Sequence, residues 1–236
     1  MIRLICDPEQ VKHSIVNLTP GQSHYLSRVM RRRSGSTVEI HIPSIGRYVG
    51  EVLSASQVQM VRKLPEIAPL SAYVILYQAL LKQGHFAEVV ERATEAGVSE
   101  FVPLVTERAL VRSVSPQNLA RWKTIAREAS EQSQRNLVPV IHPDVGADAL
   151  VLPPDVTGLL LDPDGLPLIS YFRGLKFDLT PRIALAVGPE GGFSDGDREH
   201  LIQAGMTPVS LGPQIFRAVN AGAFAAVVIL TLLQHA

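Results

Sequence analysis

Two Gly-Pro turns in this chain could hold a ligand with backbone rather than with side chains. The first lies in VGPEGGFSDGDRE, Val187 to Glu199, which packs three glycines into five positions after an apolar run and then turns acidic. At a strand-to-helix turn, free N–H groups and the positive end of the helix dipole ordinarily attract phosphate. Here the spacing is G-x-x-G-G, no Lys-Ser/Thr follows, and Asp195, Asp197 and Glu199 already complement the dipole of the coming helix. Ser194 and Asp197 also form an S-x-x-D capping pattern. A polyphosphate would meet repulsion. A ligand that is neutral or cationic near its reacting centre suits the loop, and a tight capped turn with no ligand is the plain alternative. The second turn opens LGPQIFRAVNAGA, Leu211 to Ala223, again between a strand and a helix. Two such loops at the carboxyl edge of one parallel sheet would form one site.

Cationic side chains gather elsewhere. His24, Arg28, Arg31, Arg32 and Arg33 fall in one helical candidate, Ser23 to Arg33, which suits RNA phosphates or a solvated helix face. Residues 1–70 carry nine Lys/Arg against five Asp/Glu and the rest thirteen against seventeen, so a net charge of zero conceals a basic amino-terminal part. His24, His41, His85, His142 and His200 show no metal-ligand spacing, and the single cysteine, Cys6, can form no internal disulfide, so no metal is implied. With 46% hydrophobic and 19% charged residues the chain is expected to be globular, and the opening MIRLICDPEQ lacks the apolar core of a secretory signal, which points to the cytoplasm. The run Ala218 to Leu233 is shorter than the ~20 apolar residues of a membrane span and reads as a buried helix, so no membrane partner is expected.

These candidates need elements to position them. Alternating apolar and polar residues in STVEIHI, RYVGEVL and QVQMVRKL predict a small β-barrel or sheet over the first part of the chain. The proline-punctuated PEIAPLSA, residues 65–72, reads as a linker between domains at 1–68 and 72–236. Beyond it the pattern alternates strand and helix: YVILYQAL, then HFAEVVERATEAG with Phe86, Val89, Val90 and Ala93 on one face, then FVPLVTE, residues 116–134, TGLLLD, RIALAVG, residues 194–205, TPVSL and the last apolar helix. Continuous apolar strands joined by helices predict an α/β domain with a largely parallel sheet. Trp122 reads as a core residue, Glu88, Glu91 and Glu95 as a solvated face, and Arg135 as either a helical partner of Glu131 or a substrate contact.

GPEGGFS, followed about twenty residues later by LGPxIxR, resembles the SPOUT class of methyltransferases. HYLSRVMRRRSG, RATEAGV and EQSQRNLVP, Glu131 to Pro139, extend the likeness over nearly the whole chain and narrow it to the ribosomal RNA small-subunit methyltransferase E family, which methylates N3 of a uridine in 16S ribosomal RNA. The resemblance implies a PUA-like RNA-binding β-barrel followed by a trefoil-knotted parallel-sheet domain that binds S-adenosyl-L-methionine and forms a homodimer. It would place Leu161, Gly188, Pro189, Glu190, Gly191, Gly192, Leu211, Gly212, Pro213, Ile215 and Phe216 around the cofactor. It would give Arg217 and Arg135 catalytic roles as orienting or charge-stabilising groups, and Arg28, Arg31, Arg32 and Arg33 to 16S ribosomal RNA or the small subunit. The chain departs from the family pattern at Gln214, where an arginine is expected, at Val219 for glutamate, at Asn220 for threonine, and at His85 for lysine. An RNA-binding relative without catalysis therefore stays open, as does a nucleotide-using small-molecule enzyme, although VSLGPQ lacks the acidic residue expected of a dinucleotide site.

Overall fold

The computed structural model describes residues 1–234 apart from 44, 174, 176 and 178. The chain forms two compact units: Met1–Ala68 together with Ser130–Leu137, and Pro69–Ala129 together with Val138–Ala236.

The first unit is a six-stranded sheet of β1 (Arg3–Ile5), β2 (Val11–Lys12), β3 (Ile15–Asn17), β4 (Thr37–Ile42), β5 (Gly46–Ser54) and β6 (Gln57–Leu64), in the order β1-β4-β5-β6-β3-β2. Only β1 with β4 is parallel. The last three strands coincide with the alternating segments, whose inward residues Val38, Ile40, Val52 and Val58 close on Leu4, Val16 and Leu26. The expected helix over Ser23 to Arg33 is replaced by two shorter pieces. Helix α1 (Pro20–His24) starts on a Thr19–Gln22 capping box and passes into a π-helical turn, Tyr25–Val29. The helix stops because buried Leu26 anchors the turn, whose carbonyl accepts from Arg32 N at 2.9 Å, and Arg31 takes a left-handed φ of 51°. Arg28, Arg31, Arg32 and Arg33 are all exposed.

Ser130–Leu137 completes this unit. Glu131 Oε1 accepts from Ile5 N at 2.8 Å, buried Arg3 donates to the carbonyls of Gln134 and Arg135, and His41 Nε2 meets Asn136 O at 2.6 Å. Burial holds the His41 imidazole below its ordinary pKa.

The second unit is a parallel sheet of β7 (Tyr73–Ala79), β8 (Glu100–Val105), β9 (Val140–Ile141), β10 (Val145–Gly146), β11 (Val156–Pro167), β12 (Arg182–Val187) and β13 (Met206–Ser210). Its order is β10-β8-β7-β12-β11-β13, with β9 also on β8. Helices α2 (Phe86–Glu95), α3 (Pro116–Gln132), α4 (Leu168–Phe172), α5 (Asp195–Gln203) and α6 (Ala218–Leu233) follow in chain order. Strand alternation sends Val74 and Leu76 to one face, where Phe86, Val89, Val90 and Ala93 of α2 and Ala225 and Ile229 of α6 pack. Ile75 and Tyr77 face Leu201 on the other side. Trp122 is buried and stacks on Phe86 with ring centroids 4.2 Å apart. A side chain at Gly222 would lie 2.9 Å from Leu76 Cδ2, so a glycine there lets α6 rest directly on β7. No helix among the described residues is long and apolar enough to cross a membrane.

Candidate active site at the carboxyl edge of the parallel sheet

Parallel strands deliver all their carboxyl ends to one edge. Val187 ends β12 and Ser210 ends β13, so the loops at 188–194 and 211–217 both emerge there. The strands beneath them are not adjacent: β11 lies between, pairing Leu160 with Ala186 of β12 and Leu161 with Val209 of β13. Leu161 therefore stands between the two turns. After it the register of β11 shifts, and Leu166 again pairs with Val209. A side chain at Gly165 would come within 2.5 Å of Val209 N, so only glycine lets this bulge lie on β13.

The first loop is fixed from several sides. Ser194 and Asp197 form the capping box, and buried Asp197 also accepts from Glu107 N at 3.1 Å with both carboxylate oxygens. Arg108, just past β8, donates to Gly191 O at 3.0 Å. Glu190 Oε1 accepts from Lys82 N at 3.2 Å, which ties the loop to the turn after β7, and His85 Nδ1 lies 3.9 Å from the same oxygen. Beneath it, Gln78 is fully buried, its Nε2 donating to Ala79 O at 3.3 Å and more weakly to Val187 O at 3.5 Å. Gln78 Oε1 has no hydrogen-bond partner among the described residues, an acceptor buried at the entry to the glycine loop.

The outer surface of these turns is open. Gly192 has φ 69° and a side chain there would meet nothing within 4 Å; Gly212 has φ 120° and would meet only Gln214 Oε1, at 3.8 Å. The second loop is fixed less. Ser210 Oγ accepts from Gly212 N at 3.1 Å, and Arg217 is the N-cap of α6, its carbonyl accepting from Asn220 N and Ala221 N. The Arg217 side chain is exposed, as are Pro213 and Gln214; Ile215 is 86% exposed, and Phe216 meets Phe224 edge to face at 5.1 Å.

Of the residues singled out from the sequence, Leu161, Gly188 to Gly192, Leu211 to Phe216 and Arg217 gather at this edge of the second unit. Arg135 lies instead in the first unit, in the segment Ser130–Leu137, and the four exposed arginines Arg28, Arg31, Arg32 and Arg33 lie in the Met1–Ala68 part of that unit. Glu131, one helical turn before it, accepts from the backbone of β1. The departures have local uses: Val219 packs partly buried against the core, and Asn220 accepts from Arg92, which also binds Glu88 at 2.8 Å. Gln78, Arg108 and Gly165 were not anticipated. A lone polar residue inside the apolar run VILYQALL was the available signal for Gln78; Arg108 carried none. Among the described residues no three His, Cys, Asp or Glu gather as a metal-ligand set.

An open parallel sheet with paired glycine turns at its carboxyl edge is here the frame of an RNA methyltransferase: the family model for the RNA methyltransferase domain matches residues 68–230. A ribosomal RNA small subunit methyltransferase E from Synechocystis sp. is 33% identical over 98% of this chain and 78% of its own length. The chain belongs to the ribosomal RNA small subunit methyltransferase E family. Its fold matches the Neisseria gonorrhoeae protein of that name, crystallised with S-adenosyl methionine, at a TM-score of 0.86 over 98% of each chain with 24% identity. A Legionella pneumophila structure described as a methyltransferase with the cofactor SAM bound matches at a TM-score of 0.82, with 26% identity over 99% of this chain and 97% of the other.

Proposed function

We propose that this protein transfers a methyl group from S-adenosylmethionine to N3 of a uridine in the 16S ribosomal RNA of the small subunit. The observation that carries the reading is the pair of open glycine turns flanking Leu161 in a chain of this family. The residues fit the cofactor. Gly188, Pro189, Gly191 and Gly192 on one side and Leu211, Gly212, Pro213, Ile215 and Phe216 on the other offer backbone groups that a nucleoside can approach closely. Exposed Glu190 gives the loop an anionic tip, which favours a cation over a polyphosphate. When bound, S-adenosylmethionine supplies an electrophilic methyl group on a sulfonium.

This chain's own residues do the rest. The N3 proton passes to solvent water, and the exposed guanidinium of Arg217 stabilises the negative charge left on the uracil ring. Arg135 orients the RNA. Arg28, Arg31, Arg32 and Arg33 bind RNA phosphates through the first unit, which we take to be a PUA-like barrel. The unit division proposed for function runs 1–68 for RNA binding and 72–236 for methyl transfer. A trefoil knot at the carboxyl end and a homodimer that covers Phe224 and Val227 of α6, 45% and 50% exposed, belong to the same proposal, as does action in the cytoplasm.

The test incubates the protein with methyl-labelled S-adenosylmethionine and small subunits that lack the modification, followed by nucleoside analysis. The expected product is 3-methyluridine in 16S RNA. Label at another position would overturn the assignment to N3, and RNA and cofactor binding without label would favour an RNA-binding relative whose departures at Gln214, Val219 and Asn220 have ended turnover.

A further inference from the structure

The loop that follows β8 is pinned at both ends and leaves its middle in solvent. Buried Ala109 donates its N–H to Thr106 O at 3.2 Å, and Val114 N donates to Asp144 Oδ1 at 3.1 Å. Between these two anchors Leu110 is 71% and Val111 37% exposed. Exposed Arg112 comes next, its Nη1 and Nη2 donating at 2.9 Å to the carbonyls of Thr106 and Glu107. Those acceptors are neutral, so they orient the guanidinium without cancelling its charge and leave further N–H groups of the fork unspent. Among the described residues no carboxylate oxygen lies within 4.0 Å of it. The same loop is tied to the first glycine turn by Glu107 N on Asp197 and by Arg108 on Gly191 O. A single exposed leucine is ordinary. Here two adjacent aliphatic side chains and an oriented cation are held out on a loop fastened to the proposed cofactor site.

A methyl group can reach uridine N3 only when the base is unpaired, because N3–H is the donor on its Watson–Crick edge. Drawing that base out of the stack uncovers an apolar face on its neighbour, which costs unstacking energy unless a side chain covers it. We propose that the loop after β8 holds the RNA open at the target: Leu110 and Val111 cover the face of the base next to the uridine, and Arg112 binds a phosphate of the same strand. The proposal rests on the reading that the protein methylates N3 of a uridine. RNA is the occupant the loop fits, since an aliphatic pair beside an oriented guanidinium matches the flat base and anionic phosphate of a nucleotide. Arg108 is spent on the glycine turn and is not one of these contacts. Because the backbone is already pinned, the loop loses little freedom when the RNA arrives.

The test measures single-turnover methylation of unmodified small subunits over a range of subunit and salt concentrations, with cofactor calorimetry and light scattering in parallel, for wild type, R112E, L110S, L110M and R121E. Exposed Arg121 lies on α3 outside this loop, so its reversal controls for net charge. R112E should raise the half-saturating subunit concentration about tenfold and make the log–log salt slope shallower by roughly 0.7, the contribution of one phosphate contact on a single strand, with the rate at saturation near wild type. L110S should instead lower the rate at saturation several-fold, L110M should restore it, and R121E should change neither quantity. Cofactor affinity should stay at the wild-type value throughout. Wild-type half-saturation and slope in R112E overturn the phosphate contact, as does an equal loss in R121E, which would make the effect one of net charge. A normal rate in L110S overturns the base contact. A smaller particle for L110S in light scattering, accompanying its loss of rate, overturns RNA as the occupant and assigns the face to a second copy of this chain. A wild-type protein that labels no subunit, or labels a position other than N3, defeats the functional reading itself, a result distinct from all of these.

Discussion

The two glycine turns come from the same edge of the same sheet and are built to opposite standards. The turn after β12 is fastened to three neighbours: Asp197 to Glu107, Gly191 to Arg108, and Glu190 to Lys82. The turn after β13 keeps a short Ser210–Gly212 contact and leaves Ile215 and Arg217 in solvent. A loop whose hydrogen bonds are satisfied before the ligand arrives loses little freedom on binding, and a loop that must be ordered by its ligand or by a second copy loses more. The first turn thus acts as a fixed wall, and the second is free to respond to what binds.

The largest expected effect is on the open side. Arg217→Ala should slow methyl transfer by about 10²-fold or more in single-turnover assays while leaving folding, cofactor affinity and RNA affinity near wild type, because the side chain touches solvent rather than the core. Normal turnover would remove Arg217 from catalysis. On the fixed side, Asp197→Ala removes a helix cap and strands Glu107 N and Ser194 N, so urea unfolding should show a loss of about 1–3 kcal/mol. A loss no larger than that of an exposed substitution would mean the wall is not held by its cap. Arg108→Ala breaks one exposed contact to Gly191 O and should raise the cofactor dissociation constant only a few-fold, with the transfer rate at saturating cofactor unchanged.

The smallest effect concerns pH. Burial raises the pKa of Asp162, but hydrogen bonds from Arg198 Nε at 2.6 Å and Asp164 N at 3.0 Å, with the Arg198 charge, outweigh it and hold the carboxyl below its ordinary value. A depressed carboxylate adds stability above its unfolded pKa, and that stability is lost as pH falls through the folded value. Asp162→Asn should therefore be less stable than wild type at neutral pH, and the difference should close on acidification below the ordinary carboxylate range. A difference that persists there would assign the effect to packing.

The second unit was largely legible because its signals are local. Val74, Leu76, Ile183 and Leu185 are apolar runs of strand length, and the Phe86–Ala93 stripe has helical period. Both glycine turns and the Ser194–Asp197 cap could be read from neighbours in sequence. The missed features depend on distant partners. Strands β1, β2 and β3 are two or three residues each, too short for a period to show. The helix over 23–33 was expected from clustered charge, but a wide turn closed by a backbone bond from Arg32 to Leu26 ended it. Gly165 serves a contact with Val209 more than forty residues later. EQSQRN read as the end of a helix because its structural use is as acceptors for Ile5, Arg3 and His41, which no periodicity encodes.

That last segment also bears on the order in which the protein can be made. Domains commonly fold as they leave the ribosome, amino-terminal first. Here Ile5 N and the buried guanidinium of Arg3 find acceptors on Glu131, Gln134 and Arg135, and His41 finds Asn136, so the opening sheet must wait for nearly seventy further residues before its last polar groups are satisfied. During synthesis the first unit is finished from within the second, and nascent chains that stop short of residue 136 carry a sheet whose buried edge is still wet.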